Sequence, residues 1–117
     1  MVSSPNELAY ATFNGVKCPI RTASVALVST GDQQVVAAVS KKRIALLAFV
    51  LSGASTSTVY FTDGTNQSGS IPVTSGSPVV AAFGGGAWFI GANETALKIN
   101  ASVNISGQLV YCEVPLS

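Results

Sequence analysis

Apolar residues fill almost every position of Arg43-Ile-Ala-Leu-Leu-Ala-Phe-Val-Leu51, a run of the length of one long β-strand. Extended backbone sends alternate side chains to opposite faces. Ile44, Leu46, Ala48 and Val50 are therefore expected on one face, and Ala45, Leu47, Phe49 and Leu51 on the other. An antiparallel sheet usually packs one face on a core and leaves the other in water. Here both faces need cover, and a second subunit is the expected source.

From Leu8 onward, short apolar or alternating runs recur at intervals of about 8–12 residues between Gly, Ser, Asn and Pro, the spacing of a sandwich or barrel. The pattern predicts strands near 8–13, 16–21, 24–29, 34–40, 43–52, 57–63, 69–73, 78–83, 95–103 and 107–114. Leu97, Ile99, Ala101 and Val103 alternate with Lys98, Asn100 and Ser102, a clean period of two. In the closing strand Leu109, Tyr111 and Glu113 share one side, and Val110, Cys112 and Val114 the other. Gly53-Ala54-Ser55 and Asn104-Ile-Ser-Gly107 carry the residues of hairpin turns. Residues 63–77 and 84–94 read as irregular connections, and no segment holds a helical period over three turns. The prediction is an all-β, antiparallel β-sandwich with very little helix. It is a single domain overall, in which an N-terminal arm and first strands (1–23) lead into the sandwich proper (24–117).

Composition sharpens the demand for cover. The chain has 117 residues, 48% of them hydrophobic and only 9% charged, with no histidine; an ordinary soluble domain carries about 25% charged residues. Hydroxyl, amide and glycine surfaces must do most of the solvation, and the expected remedy is an oligomer that hides part of the apolar surface. A net charge of +1 offers no field for nucleic acid or anionic lipid, so neither nucleic acid nor membrane is an expected partner. Lys41-Lys42-Arg43 reads as a solvated turn before the apolar strand. The start, Met-Val-Ser-Ser-Pro-Asn-Glu, lacks the basic and apolar segments of a secretory signal.

Catalytic chemistry is hard to assemble from these residues. A serine or cysteine nucleophile ordinarily relies on histidine. The acids Glu7, Asp32, Asp63, Glu94 and Glu113 are scattered, which argues against a carboxylate pair. Asp63-Gly-Thr-Asn66 lacks the further acids of a calcium loop and reads as a tight turn. Gly84-Gly-Gly86 has no following Gly-Lys-Ser/Thr and is not a phosphate loop. Cys18 and Cys112 alone do not make a zinc site and read as two buried free thiols. The Asn-x-Ser/Thr matches at Asn66, Asn93, Asn100 and Asn104 read as coincidence in a chain rich in these residues. No catalytic residue, metal or cofactor is expected.

The order of features from residue 30 to 114 resembles a family of small bacteriophage virion proteins. Gln34-Val-Val-Ala-Ala-Val-Ser40 leads into the Lys41–Leu51 run, then Val59-Tyr-Phe-Thr-Asp-Gly-Thr65, Gly69-Ser-Ile-Pro72, Phe83 before a glycine-rich segment with Trp88-Phe89, Glu94-Thr-Ala-Leu-Lys-Ile-Asn100 and Gly107-Gln-Leu-Val-Tyr-Cys-Glu113. The first thirty residues carry no such likeness. The resemblance implies a jelly-roll-like sandwich acting as capsid cement or decoration protein. Such a protein is a homotrimer on the outside of a phage head, made in the host cytoplasm, with the major capsid protein as partner. Leu8, Tyr10 and Phe13 are candidates for the capsid-facing or subunit-swapping element. Leu47, Phe49, Leu51, Tyr60, Trp88 and Phe89 are candidates for the trimer contact or the core. Two rivals from other classes are a carbohydrate- or receptor-binding module of a tail or fibre, which predicts exposed aromatics, and a secreted trimeric signalling ligand. Replacing Leu47 or Phe49 by Asp is expected to give monomers or insoluble protein, read by solution mass.

Overall fold

The structure, a computed structural model, describes residues 10–13, 15–28, 30–82 and 86–115. Its strands are β1 (Tyr10–Phe13), β2 (Val16–Leu27), β3 (Gly31–Val36), β4 (Lys42–Gly53), β5 (Ser57–Thr62), β6 (Ile71–Val73), β7 (Val79–Ala81), β8 (Phe89–Ile90), β9 (Leu97–Ala101) and β10 (Ile105–Pro115), with no helix among the described residues. Most follow the apolar runs; β3 instead starts in the polar Gly31-Asp-Gln-Gln and ends at Val36, short of the strand expected at 34–40. The two runs expected at 16–21 and 24–29 are one continuous strand, β2, through which the 23/24 boundary passes. The two-residue β8 is too short to leave a periodic signal.

The strands form two antiparallel sheets. One has the order β1-β2-β10-β4-β7, with β8 also paired to β4; the other has the order β3-β9-β5-β6. The chain changes sheet after β2, β3, β4, β6, β8 and β9, which gives the strand order of a two-sheet jelly roll. Both hairpins expected from the sequence are therefore sheet-to-sheet crossovers: β4 and β5 lie in different sheets, as do β9 and β10. Each of these strands has one strongly apolar face. A crossover lets both faces meet across the interior, whereas a hairpin would lay them side by side. The two crossovers brace each other through Ala54 N–H donating to the Asn104 carbonyl at 2.9 Å and a Ser57–Ser102 hydroxyl contact at 2.9 Å.

Between the sheets lies the main core, which includes Ile44, Leu46 and Leu51 of β4, Val59 and Phe61 of β5, Leu97 and Ile99 of β9, and Leu109 of β10. Phe49 tilts against Phe61 with centroids 5.2 Å apart. The alternation expected for β9 holds, with Leu97, Ile99 and Ala101 all buried.

The alternation expected for β4 does not hold, for one reason. Tyr111 of β10 stands opposite Leu46 and Val110 opposite Ala48, so Leu47 has no cross-strand partner there. This bulge shifts the phase of the strand by one residue. Ile44 and Leu46 share the main core with Phe49 and Leu51. Ala45 and Leu47 turn to the outer face, where they form a second cluster with Ala11, Cys18 and Cys112. The cover expected from a second subunit at these positions is supplied by the chain itself. The β1–β2 hairpin, joined in register through Ala11 and Cys18, brings both onto Leu47 and Cys112. Leu47 is fully buried, and full burial of such a side chain is worth about 2–3 kcal/mol. A Leu47→Asp substitution thus acts on folding before it acts on assembly.

Gly107 sits inside β10 rather than in a turn, between Leu51 of β4 and Val25 of β2. Its φ is 151°, and a Cβ built there would overlap the Val50 carbonyl oxygen. Only glycine lets β10 approach β4 this closely. Gly107→Ala is expected to lower stability by about 3 kcal/mol or more, combining backbone strain with overpacking. A urea unfolding midpoint close to that of the parent chain would contradict this.

Candidate assembly surface

Leu8 lies outside the described residues. The other candidates divide by environment. Leu47 and Leu51 are fully buried and Phe49 nearly so, which resolves contact or core in favour of core for all three. Phe89 is half-buried against the main core and pairs with Leu46. Tyr60 is half-buried on β5 opposite Asn100, and Phe13 is half-buried against the outer cluster. Tyr10 and Trp88 are exposed, with Lys17 Nζ 5.9 Å from the Tyr10 ring centre.

A second apolar surface escaped the sequence reading. Past the bulge, Val50 turns outward opposite Val80 of β7, and the two are 40% and 65% exposed. With Ala48, Phe49, Ala82, Gln108 and Val110 they line a shallow depression of about 290 Å³, with no charged side chain among the described residues of its lining. The signal lay in the run Val79-Val-Ala-Ala82, but its outward direction depends on the phase that the bulge sets in β4.

Trp88 is exposed yet held in place. Its backbone N–H donates to the Leu46 carbonyl at 2.7 Å, and its Nε1–H donates to the Ala82 carbonyl at 3.0 Å. Its ring meets Phe49 edge-on at 6.3 Å. Between Trp88 and the 68–71 segment runs a groove of about 240 Å³, floored by Phe49 and Phe61 and rimmed by Ser68, Gly69, Ser70 and Ile71.

The titratable groups are structural in their geometry. Burial pushes the Cys112 thiol up to about 12, helped by the charge of and a hydrogen bond with Cys18, and by Glu113. Both cysteines are free and buried, and at Cys112 the raised value suppresses the thiolate needed for reaction at neutral pH. Glu113 lies 3.7 Å from Arg21 and 3.6 Å from Lys42. Glu94 accepts from the Lys41 backbone N–H at 2.7 Å, where Lys41 has a positive φ of 62°. No group of three or more His, Cys, Asp or Glu side chains disposed to hold a metal occurs among the described residues.

Asp63 is the buried acid, and it begins the tight turn that Asp63-Gly-Thr-Asn66 predicts. Its carboxylate accepts from the backbone N–H groups of Thr65 at 2.8 Å and Asn66 at 2.6 Å, and from the Asn66 side chain at 2.9 Å. The Ala92 backbone N–H adds a bond at 2.8 Å, fastening the 91–94 loop to the turn. Burial by itself raises the Asp63 pKa, but the Asn66, Thr65 and Ala92 donors outweigh it and hold the carboxyl well below the usual carboxylate range. A depressed folded-state pKa stabilises the fold fully above the unfolded value of 3.8, and that contribution is lost progressively as pH falls from there through the lower folded-state value. Asp63→Asn is expected to lower stability at neutral pH by about 2 kcal/mol. It is also expected to flatten the loss of stability below pH 4, as measured by urea unfolding across an acid series.

No protein-family model matches the chain, and no curated protein does. Among solved structures, one described as Bacillus endospore appendages that form a novel family of disulfide-linked pili is similar over 92% of this chain and 97% of that chain, at 13% identity and a TM-score of 0.43. A likeness at this level adds nothing to the two-sheet architecture already described.

Proposed function

We propose that this chain is a structural virion protein of the capsid cement or decoration type, binding the outside of a phage head as a homotrimer and stabilising the shell. The observation that carries the reading is the uncharged apolar depression around Val50 and Val80. Covering it with a second copy removes valine and alanine surface from water and requires no charge to be desolvated, so nearly all of the hydrophobic gain is kept. The two-sheet jelly roll is an architecture used by viral capsid domains, although a fold by itself assigns no role. The order of motifs from Gln34 to Glu113 supports the virion setting by resemblance.

In this reading the Val50–Val80 surface makes the contact between copies, and the β1–β2 hairpin meets the major capsid protein. That hairpin exposes Tyr10 (41%) and Val16 (45%). The action is mechanical. A trimer presents three identical hairpins to the shell, and once one has docked the others bind at high effective concentration. Contacts that are individually small, at about 25 cal/mol per Å² of apolar area, then resist the opening of capsid joints.

Light scattering of the purified chain is expected to give a mass of three subunits. Val80→Asp should reduce it to one subunit while leaving the far-ultraviolet dichroism unchanged, because Val80 is mostly exposed. The trimer should also bind expanded empty shells. A parent chain with the mass of one subunit at every concentration tested would overturn the reading.

A further inference from the structure

We infer that the groove between Trp88 and the 68–71 segment is a binding site for a neutral saccharide, with one sugar ring stacked on the exposed indole. The inference goes beyond the assembly reading and stands on Trp88 and the 68–71 rim rather than on Val50 and Val80. An indole is among the largest apolar side chains, and folding gains most by burying it. Trp88 is instead 57% exposed. It is also not free to move, since the bonds to Leu46 and Ala82 and the edge contact with Phe49 fix its plane. An exposed aromatic ring held rigid is a preorganised surface, one that loses little entropy when something stacks on it.

The rest of the groove describes what stacks there. Its floor is aromatic, through Phe49 resting on Phe61. Its far rim is small and polar, with Ser68, Gly69 and Ser70 ahead of Ile71. The Ser68 hydroxyl already accepts from the Phe61 N–H and donates to the Gly69 carbonyl, so it offers a ligand an acceptor and Ser70 offers the donor. Among the described residues no charged side chain lines it, so a phosphate, carboxylate or ammonium ligand finds no counter-charge there. The complementary ligand has an apolar face of C–H groups for the negative face of the indole, and a hydroxyl edge for the serine rim. It carries no charge. A pyranose ring meets each condition. At about 240 Å³ the groove falls below the roughly 300–1,000 Å³ of sites that engulf drug-sized ligands, which suits a single ring of a longer glycan that continues into solvent.

Gly69 provides a way to close the site without breaking the fold. Nothing lies within 4 Å of a Cβ built there, and its φ is outside the positive region. The chain also has only one tryptophan, so its fluorescence reports on this groove alone. The assembled parent protein should be applied to an array of neutral and acidic glycans, with the best neutral oligosaccharide then titrated against tryptophan emission. The expected result is retention of a neutral glycan and a saturable change in emission. Gly69→Val should weaken that binding at least tenfold with an unchanged thermal midpoint. Trp88→Ala should do the same on the array, Trp88→Phe should retain part of the affinity, and Val80→Asp should leave the binding of a monovalent oligosaccharide unaltered. Absence of neutral-glycan binding, retention of acidic glycans only, or undiminished binding by both Trp88→Ala and Gly69→Val would overturn the inference, as would binding of a proline-rich peptide in place of sugars. Subunit mass is measured separately, so failure here leaves the assembly reading to its own test.

Discussion

The unpartnered Leu47 in the β4–β10 ladder is the constraint on which the rest of the structure depends. β10 is central in its sheet, paired along most of its length with β2 on one side and β4 on the other. Whatever phase β4 takes against it fixes which side chains reach the space between the sheets. With the bulge, Phe49 and Leu51 join Ile44 and Leu46 inside. Without it, the same pairing would turn Phe49 and Leu51 outward and bring Ala48 and Val50 in, removing a phenylalanine and a leucine from the core. A one-residue slip reverses every side chain beyond it, so a single extra residue decides the packing of half the strand.

The outer face of the same sheet is consequently divided. Toward the start of β4, the β1–β2 hairpin folds its own residues over Ala45 and Leu47, and the two thiols fill the space between. Toward the end of β4, Val50 and Val80 remain uncovered. The chain conceals one half of a continuous apolar surface and leaves the other half bare. The low charge content is no longer a property of the whole molecule to be explained. On this sheet face it has one local expression, the Val50–Val80 patch, while Val16, Val28 and Trp88 are exposed elsewhere; in the proposed reading a second copy docks on that patch.

Much of the fold was legible because it rested on period-two patterns. Leu97, Ile99 and Ala101 announced a buried face, and Leu109 and Cys112 announced two different ones. Crossovers were not legible. Gly53 and Asn104 belong to residue types that serve a hairpin and a sheet change equally well, and the choice is made by tertiary packing rather than by local turn chemistry. The bulge was hidden for a related reason, since a run in which every residue is apolar carries no phase. Of the candidate site, Tyr10 and Trp88 were among the named candidates, but Trp88 was left open between contact and core because its apolar neighbours Phe89 and Ile90 give no sign of exposure. Val50 and Val80 were missed because their exposure is decided by the phase of β4, which the run itself does not carry.

The two candidate surfaces arise from consecutive residues. Phe49 turns inward and floors the groove beside Trp88, while Val50 turns outward and floors the apolar depression. The two adjoin, since Phe49 lines both and the Ala82 carbonyl at the depression accepts from Trp88 Nε1–H. Trimerisation would then present three grooves on one rigid body, the arrangement in which shallow single-ring sites become effective, because each bound ring raises the local concentration of the next. In the proposed readings shell binding and glycan capture draw on neighbouring residues of one strand, and the bulge at Leu47 sets which face each residue takes.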